Sequence, residues 1–182
     1  MIFRSTAIGG VWIVEPEGHV DERGLFARTW CAREFAEHGL ADCFVQGSVS
    51  HNPRRGTLRG LHYQAEPHAE AKLVRCTRGA IYDVALDLRE QSPTFRQHVG
   101  VVLDAANRLA LYVPEGCAHG FQTLEDDTEV LYQMSAFHAP EAARGVRWDD
   151  PAFAIPWPPA DRLIGERDRA YPDFRPGYAL AR

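Results

Sequence analysis

The sequence predicts an all-β fold, a sandwich or barrel of short antiparallel strands with an irregular C-terminal segment. Apolar and polar residues alternate along many short runs, as in half-buried strands. Turn signals recur at intervals of roughly eight to twelve residues, the spacing of β-sandwiches and barrels. From Asp149 onward the chain becomes rich in proline and aromatics ("DDPAFAIPWPPADRLIGERDRAYPDF"), which marks a segment packed on the β core.

Taken in order, the candidate strands begin with "VWIVEP" (11–16), "LFARTW" (25–30), "CFVQGSVS" (43–50), "TLRGLHYQ" (57–64) and "AKLVRCTRG" (71–79). "AIYDVALDLR" (80–89), "QHVGVVLD" (97–104), "RLALYVPEG" (108–116), "HGFQTLED" (119–126) and "TEVLYQMSAF" (128–137) follow. In 80–89, Tyr82, Val84, Leu86 and Leu88 alternate with Asp83 and Asp87, the pattern of a strand with one wet face. "AREFAEHGL" (32–40) reads as a short helix stopped by Gly39, and a further helical turn is expected near Asp161.

The chain's 182 residues suit a single domain with a core that needs no disulfides. A net charge of −5 gives nucleic acid no electrostatic footing. Cys31, Cys43, Cys76 and Cys117 form no C-x-x-C motif and read as reduced thiols. No run approaches the roughly twenty apolar residues of a membrane helix, and the N-terminus carries no cleavage signature. The expected setting is the cytoplasm, without membrane or nucleic-acid partners.

Strand parity selects the chemistry. In "TLRGLHYQ", Leu58, Gly60, His62 and Gln64 share one face, and Gly60 would leave room for a ligand beside His62. Lys72, Val74 and Cys76 share a face, as do Tyr132, Met134, Ala136 and His138 if that strand is unbroken. His119 follows the turn at Pro114 and Gly116. Two strand histidines raise the possibility of a metal, but Tyr63 and Gln64 after His62 break the usual cupin ligand spacing, and His68 lies in a loop. Asp168 is a carboxylate available to orient an imidazole.

"DERGLFARTW", "TLRGLHYQ", "AKLVRC", "SPTF", "VPEGCAHGF", "EVLYQ" and "WDDPAFAIPWP" occur in one order over nearly the whole chain. Together they resemble the dTDP-4-dehydrorhamnose 3,5-epimerases. The resemblance implies a cupin-like antiparallel β-jelly roll with a few short helices, a homodimer, a nucleotide-sugar substrate, and neither metal nor cofactor. It implies one epimerase domain over 1–182: N-terminal strands at the dimer interface (1–30), a jelly-roll core (31–148) and a C-terminal segment on the barrel (149–182). Carried over residue by residue, it makes His62 the base, Asp168 its carboxylate partner, Tyr132 the general acid and Lys72 the cation near the ketone oxygen. Arg59, His119, Gln46 and Arg167 become substrate-binding groups, and Arg23 a phosphate contact supplied by the neighbouring subunit. Because parity separates Arg59 from His62, a bulge or twist at Gly60 is expected.

Four positions depart from the family pattern: Ser48 stands where Asn is common, Arg28 for Glu, His138 for Tyr and Gly165 for Ser. They match positions that touch sugar or nucleotide, so Arg28, Ser48 and His138 join the binding set. They leave open whether the nucleotide is dTDP or CDP and whether C3, C5 or both are epimerised. Rivals from other classes are a metal-dependent cupin oxygenase or isomerase and a sugar-binding module without catalysis.

Overall fold

A computed structural model describes residues 1–175. Its framework is a cupin-like jelly roll of two antiparallel sheets. One sheet runs β1 (Ile2–Ser5), β2 (Trp12–Glu15), β10 (Ala110–Val113), β7 (Lys72–Arg78), β12 (Thr128–Met134), β5 (Gln46–Asn52). The other runs β13 (Ala143–Gly145), β6 (Thr57–Gln64), β11 (Cys117–Thr123), β8 (Ala80–Asp87), β9 (His98–Asp104), with β14 (Leu163–Ile164) parallel to β6. A separate hairpin pairs β3 (Gly18–Asp21) with β4 (Gly24–Ala27). Among the described residues the two helices are α1 (Ala32–Glu37), after which Gly39 takes a positive φ, and α2 (Glu166–Arg169). The second helix thus falls five residues beyond the expected turn near Asp161, because Leu163 and Ile164 are extended and paired with β6.

Three apolar layers hold the sheets. Val74, Cys76, Ile81, Ala85, Leu111, Phe121 and Val130 fill the space between them. Phe35 of α1 closes the outer face of the first sheet over Leu73, Ala110 and Tyr112. Phe153 and Trp157 of the C-terminal segment close the outer face of the second, over Leu58, Leu61, Val84 and Leu86. Each sheet is therefore buried on both faces where these layers overlap, and β8 is not the half-wet strand that its alternation suggests. Its apolar face lies under the C-terminal segment. Asp83 and Asp87 sit on the parity of Ile81 and Ala85, on the inner face, with no exposure.

A buried carboxylate needs partners. Asp87 accepts from Arg89 Nε (2.8 Å), Arg89 Nη2 (2.9 Å), Ser92 Oγ (2.5 Å) and Thr94 Oγ1 (2.7 Å), so the "SPTF" stretch is a cap for this acid. Burial alone would raise the Asp87 carboxyl, but these bonds outweigh it and pull its pKa from 3.8 to about 2.

The strand β6 carries the expected bulge. Its partner register places His119 opposite His62 and Phe121 opposite Arg59, so three steps on β6 match two on β11. Leu58, Leu61 and Tyr63 consequently share the layer under the C-terminal segment, and Arg59 and His62 both face inward. Gly60 does not leave space for a ligand. At φ +116° it lies against β11, where a Cβ would stand 2.6 Å from Gly120 Cα and 2.7 Å from the His119 carbonyl oxygen. Likewise β12 ends at Met134, so Tyr132 and His138 do not share a strand face.

Two stability outcomes are expected. Gly60→Ala combines a disfavoured φ with a backbone clash and should lose about 2 kcal/mol or more in urea unfolding. Asp87→Asn should remove a stabilisation of about 2 kcal/mol that is fully present above pH ~4 and lost as pH falls toward ~2, because the unfolded chain takes up the proton first. Acid-unfolding curves of mutant and parent should therefore converge near pH ~2.

Candidate active site

A cavity of about 620 Å³ opens between the sheets. Arg59 and His62 of β6, with His119 of β11, line one wall; Ser48, Lys72 and Tyr132, from β5, β7 and β12, line the facing wall. Residues 163–165, Arg167 and Asp168 form part of the rim. Single strands contribute one or two groups each, and only the sandwich brings them to one place.

The deepest constraint on this site is at Asp168. Its Oδ1 lies 2.6 Å from His62 Nε2, and its Oδ2 accepts the Gly60 N–H at 2.9 Å. The carboxylate thus ties α2 to the bulge of β6 and fixes the imidazole at the same time. Burial works to raise the Asp168 carboxyl, but His62 and the Gly60 N–H outweigh it and hold it below its ordinary value. With Nε2 so engaged, the His62 ring keeps Nδ1 for other partners. Its side chain remains 42% exposed, so a ligand can reach it. Tyr171 sets its ring edge against His62, with centroids 6.3 Å apart.

A second imidazole–carboxylate pair lies beside the first. His119 Nε2 is 2.7 Å from Asp83 Oδ1, and both side chains are buried. The His119 ring meets Tyr132 edge-on at 5.8 Å. Burial first, and then the Asp83 charge, push the Tyr132 phenol well above its usual pKa, with Arg59 and Ser50 opposing in part. The phenol is thereby kept in its protonated, proton-donating form. Arg59 is aimed by Asn52, whose Oδ1 accepts from Arg59 Nε at 2.8 Å. Asn52 is itself anchored through Nδ2 to the carbonyls of Ser50 and Thr128.

Eight of the expected residues therefore line one cavity: His62, Tyr132, Asp168, Lys72, Ser48, Arg59, His119 and Arg167. Four do not. Arg23 is 84% exposed on the β3–β4 hairpin, paired with Asp21, and Arg28 is exposed and paired with Glu34 at 3.2 Å. His138 is exposed, and its backbone N–H donates to Gln46 Oε1 rather than sharing the Tyr132 strand. Asp83 and Asn52 were not among the expected residues. The alternation in 80–89 does single out Asp83, but as a wet-face acid; nothing local marks Asn52, which serves a residue seven positions away. Among the described residues, no three His, Cys, Asp or Glu side chains are grouped to hold a metal ion. No helix among them is long and apolar enough to cross a membrane.

The sequence profile described as dTDP-4-dehydrorhamnose 3,5-epimerase matches residues 5–176. The chain belongs to this family. It is 42% identical over 179 residues to the dTDP-4-dehydrorhamnose 3,5-epimerase of Sinorhizobium fredii, covering 96% of this chain and 90% of that one. The crystal structure of the family member from Elizabethkingia anophelis superposes with a TM-score of 0.92 at 40% identity and covers 96% of both chains. That of the dTDP-6-deoxy-D-glucose-3,5-epimerase from Legionella pneumophila, in complex with dTDP-4-keto-L-rhamnose, gives 0.88 at 37% identity, with 93% of this chain and 90% of that chain covered.

Proposed function

We propose that this protein is an isomerase that converts dTDP-4-dehydro-6-deoxyglucose to dTDP-4-dehydrorhamnose by proton transfer at C3 and C5. The observation that carries the reading is one cavity with a carboxylate-held imidazole on one sheet and a protonated phenol on the other. A ketone at C4 acidifies the hydrogens on both neighbouring carbons. His62 takes the proton from one face of the ring, and the electron pair moves onto the C4 oxygen as an enolate. Tyr132 returns a proton to the opposite face, which inverts the carbon. Lys72 faces the growing negative charge in a site shielded from bulk water. Asp168 orients His62 and stabilises the imidazolium formed during the step.

Arg59, His119, Ser48 and Arg167 bind the sugar and its diphosphate, and Gln46, Arg28 and His138 complete the binding set. The protein works as a homodimer, with residues 1–30 at the interface and Arg23 reaching a phosphate of the partner's ligand. The hairpin that carries Arg23 exposes Val20 (76%) and Phe26 (77%), apolar surface that a second copy would cover. Free cysteines at Cys31, Cys43, Cys76 and Cys117 agree with a reducing compartment, and we place the enzyme in the cytoplasm.

The test is solvent exchange. In deuterated water with dTDP-4-keto-6-deoxyglucose, NMR should show deuterium entering at C3 and C5. His62→Ala should lower both exchange rates by roughly a hundred- to ten-thousand-fold. Wild-type-like exchange in that variant removes His62 as the base, and exchange at a single carbon in the parent protein makes it a mono-epimerase. The CDP-linked sugar run in parallel identifies the nucleotide.

A further inference from the structure

Lys72 does not enter the cavity as an isolated cation. Its Nζ lies 2.5 Å from Glu70 Oε1, and each side chain is only 11% exposed. Two charges so withdrawn from water are tolerated because they are paired; removing one would strand the other. Lys72 lines the cavity and Glu70 does not, so the carboxylate holds the ammonium from behind the wall.

The segment carrying Glu70 is itself fixed. Gln64 is 4% exposed; its Nε2 donates to the carbonyls of His68 (2.8 Å) and Phe137 (3.2 Å), and its Oε1 accepts the Ala139 N–H (2.7 Å). One residue past Glu70, the Ala71 N–H donates to Ser135 Oγ at 2.8 Å. The carboxylate therefore starts from backbone restrained on both sides, which makes it a rigid abutment for a side chain with four rotatable bonds.

We propose that Glu70 is a positioning residue for the epimerisation: it fixes the direction of the Lys72 ammonium and retains its charge at the cavity wall. An ammonium has three N–H donors. One is spent on Glu70, and two remain for the enolate oxygen of the bound sugar. The inference rests on the acid–base reading above, in which Lys72 faces that oxygen.

The experiment is a mutant cycle on the full-length protein, assayed with dTDP-4-keto-6-deoxyglucose and checked for folding by thermal melts. Lys72→Met should lower kcat by roughly a hundred- to a thousand-fold. Glu70→Gln should lower kcat roughly ten- to a hundred-fold while KM stays within about threefold, and Glu70→Asp should recover part of the loss. Placed on Lys72→Met, Glu70→Gln should cost nothing further, because its effect runs through the ammonium. A merely structural ion pair predicts instead that Glu70→Gln lowers the melting temperature while the folded protein keeps the parental kcat. Parental kcat in Glu70→Gln, or full additivity with Lys72→Met, overturns the proposal. Should Glu70→Gln melt at the assay temperature, Glu70→Asp against Lys72→Met closes the same cycle. A parent protein without turnover or exchange would overturn the functional reading and this proposal together; an active parent with an indifferent Glu70 overturns this proposal alone.

Discussion

The structure depends on one close approach between backbones, Gly60 of β6 against Gly120 of β11. Side chains at either position would push the strands apart. Held at this distance, β6 accommodates one residue more than its neighbour, and its parity changes midway. Leu58 and Leu61 can then serve one hydrophobic layer while Arg59 and His62 serve one cavity. A regular strand could not do both, because its side chains alternate strictly. The freed Gly60 N–H is taken by Asp168, the same carboxylate that holds His62. Bulge, imidazole and C-terminal helix are thus one mechanical unit.

Around that unit the polar groups that face the cavity are held by partners. His62 has Asp168, His119 has Asp83, Lys72 has Glu70 and Arg59 has Asn52. Each of these four groups is held by a protein partner, so its orientation is settled before any ligand arrives, which is the condition for electrostatic catalysis in a shielded site. Tyr132 is the contrast. Burial and the nearby Asp83 charge oppose its ionisation, which suits a group that must hold its proton until it is needed.

Much of this was legible in the sequence. The β class followed from period-two patterning, and the bulge followed from the conflict between strand parity and the active-site place that the family resemblance implies for Arg59. What was not legible depended on which faces are covered. The alternation in 80–89 identifies two faces correctly but cannot say which is wet; the C-terminal segment covers the apolar face, and the aspartates turn inward. The role of Gly60 was misread for a related reason. A missing side chain can admit a ligand or another strand, and only the neighbouring backbone decides. Asn52 and Glu70 were silent because their work is done on another residue's side chain. His138 lost its place beside Tyr132 when β12 ended at Met134, a boundary that sequence patterning does not fix to within a few residues.

The C-terminal segment covers the outer hydrophobic layer with Phe153 and Trp157, and it also delivers Asp168. It joins the sheet through β14, only two residues long, with Arg162 stacked on Trp148 and bonded to Gln122. A segment attached to a sandwich by so few contacts can open locally at lower free energy than the sandwich itself. A molecule whose tail has lifted keeps its strands and most of its spectroscopic signature, yet its imidazole has lost its carboxylate. Activity and hydrogen exchange at Gly60 would therefore report such fraying well before a global melt does.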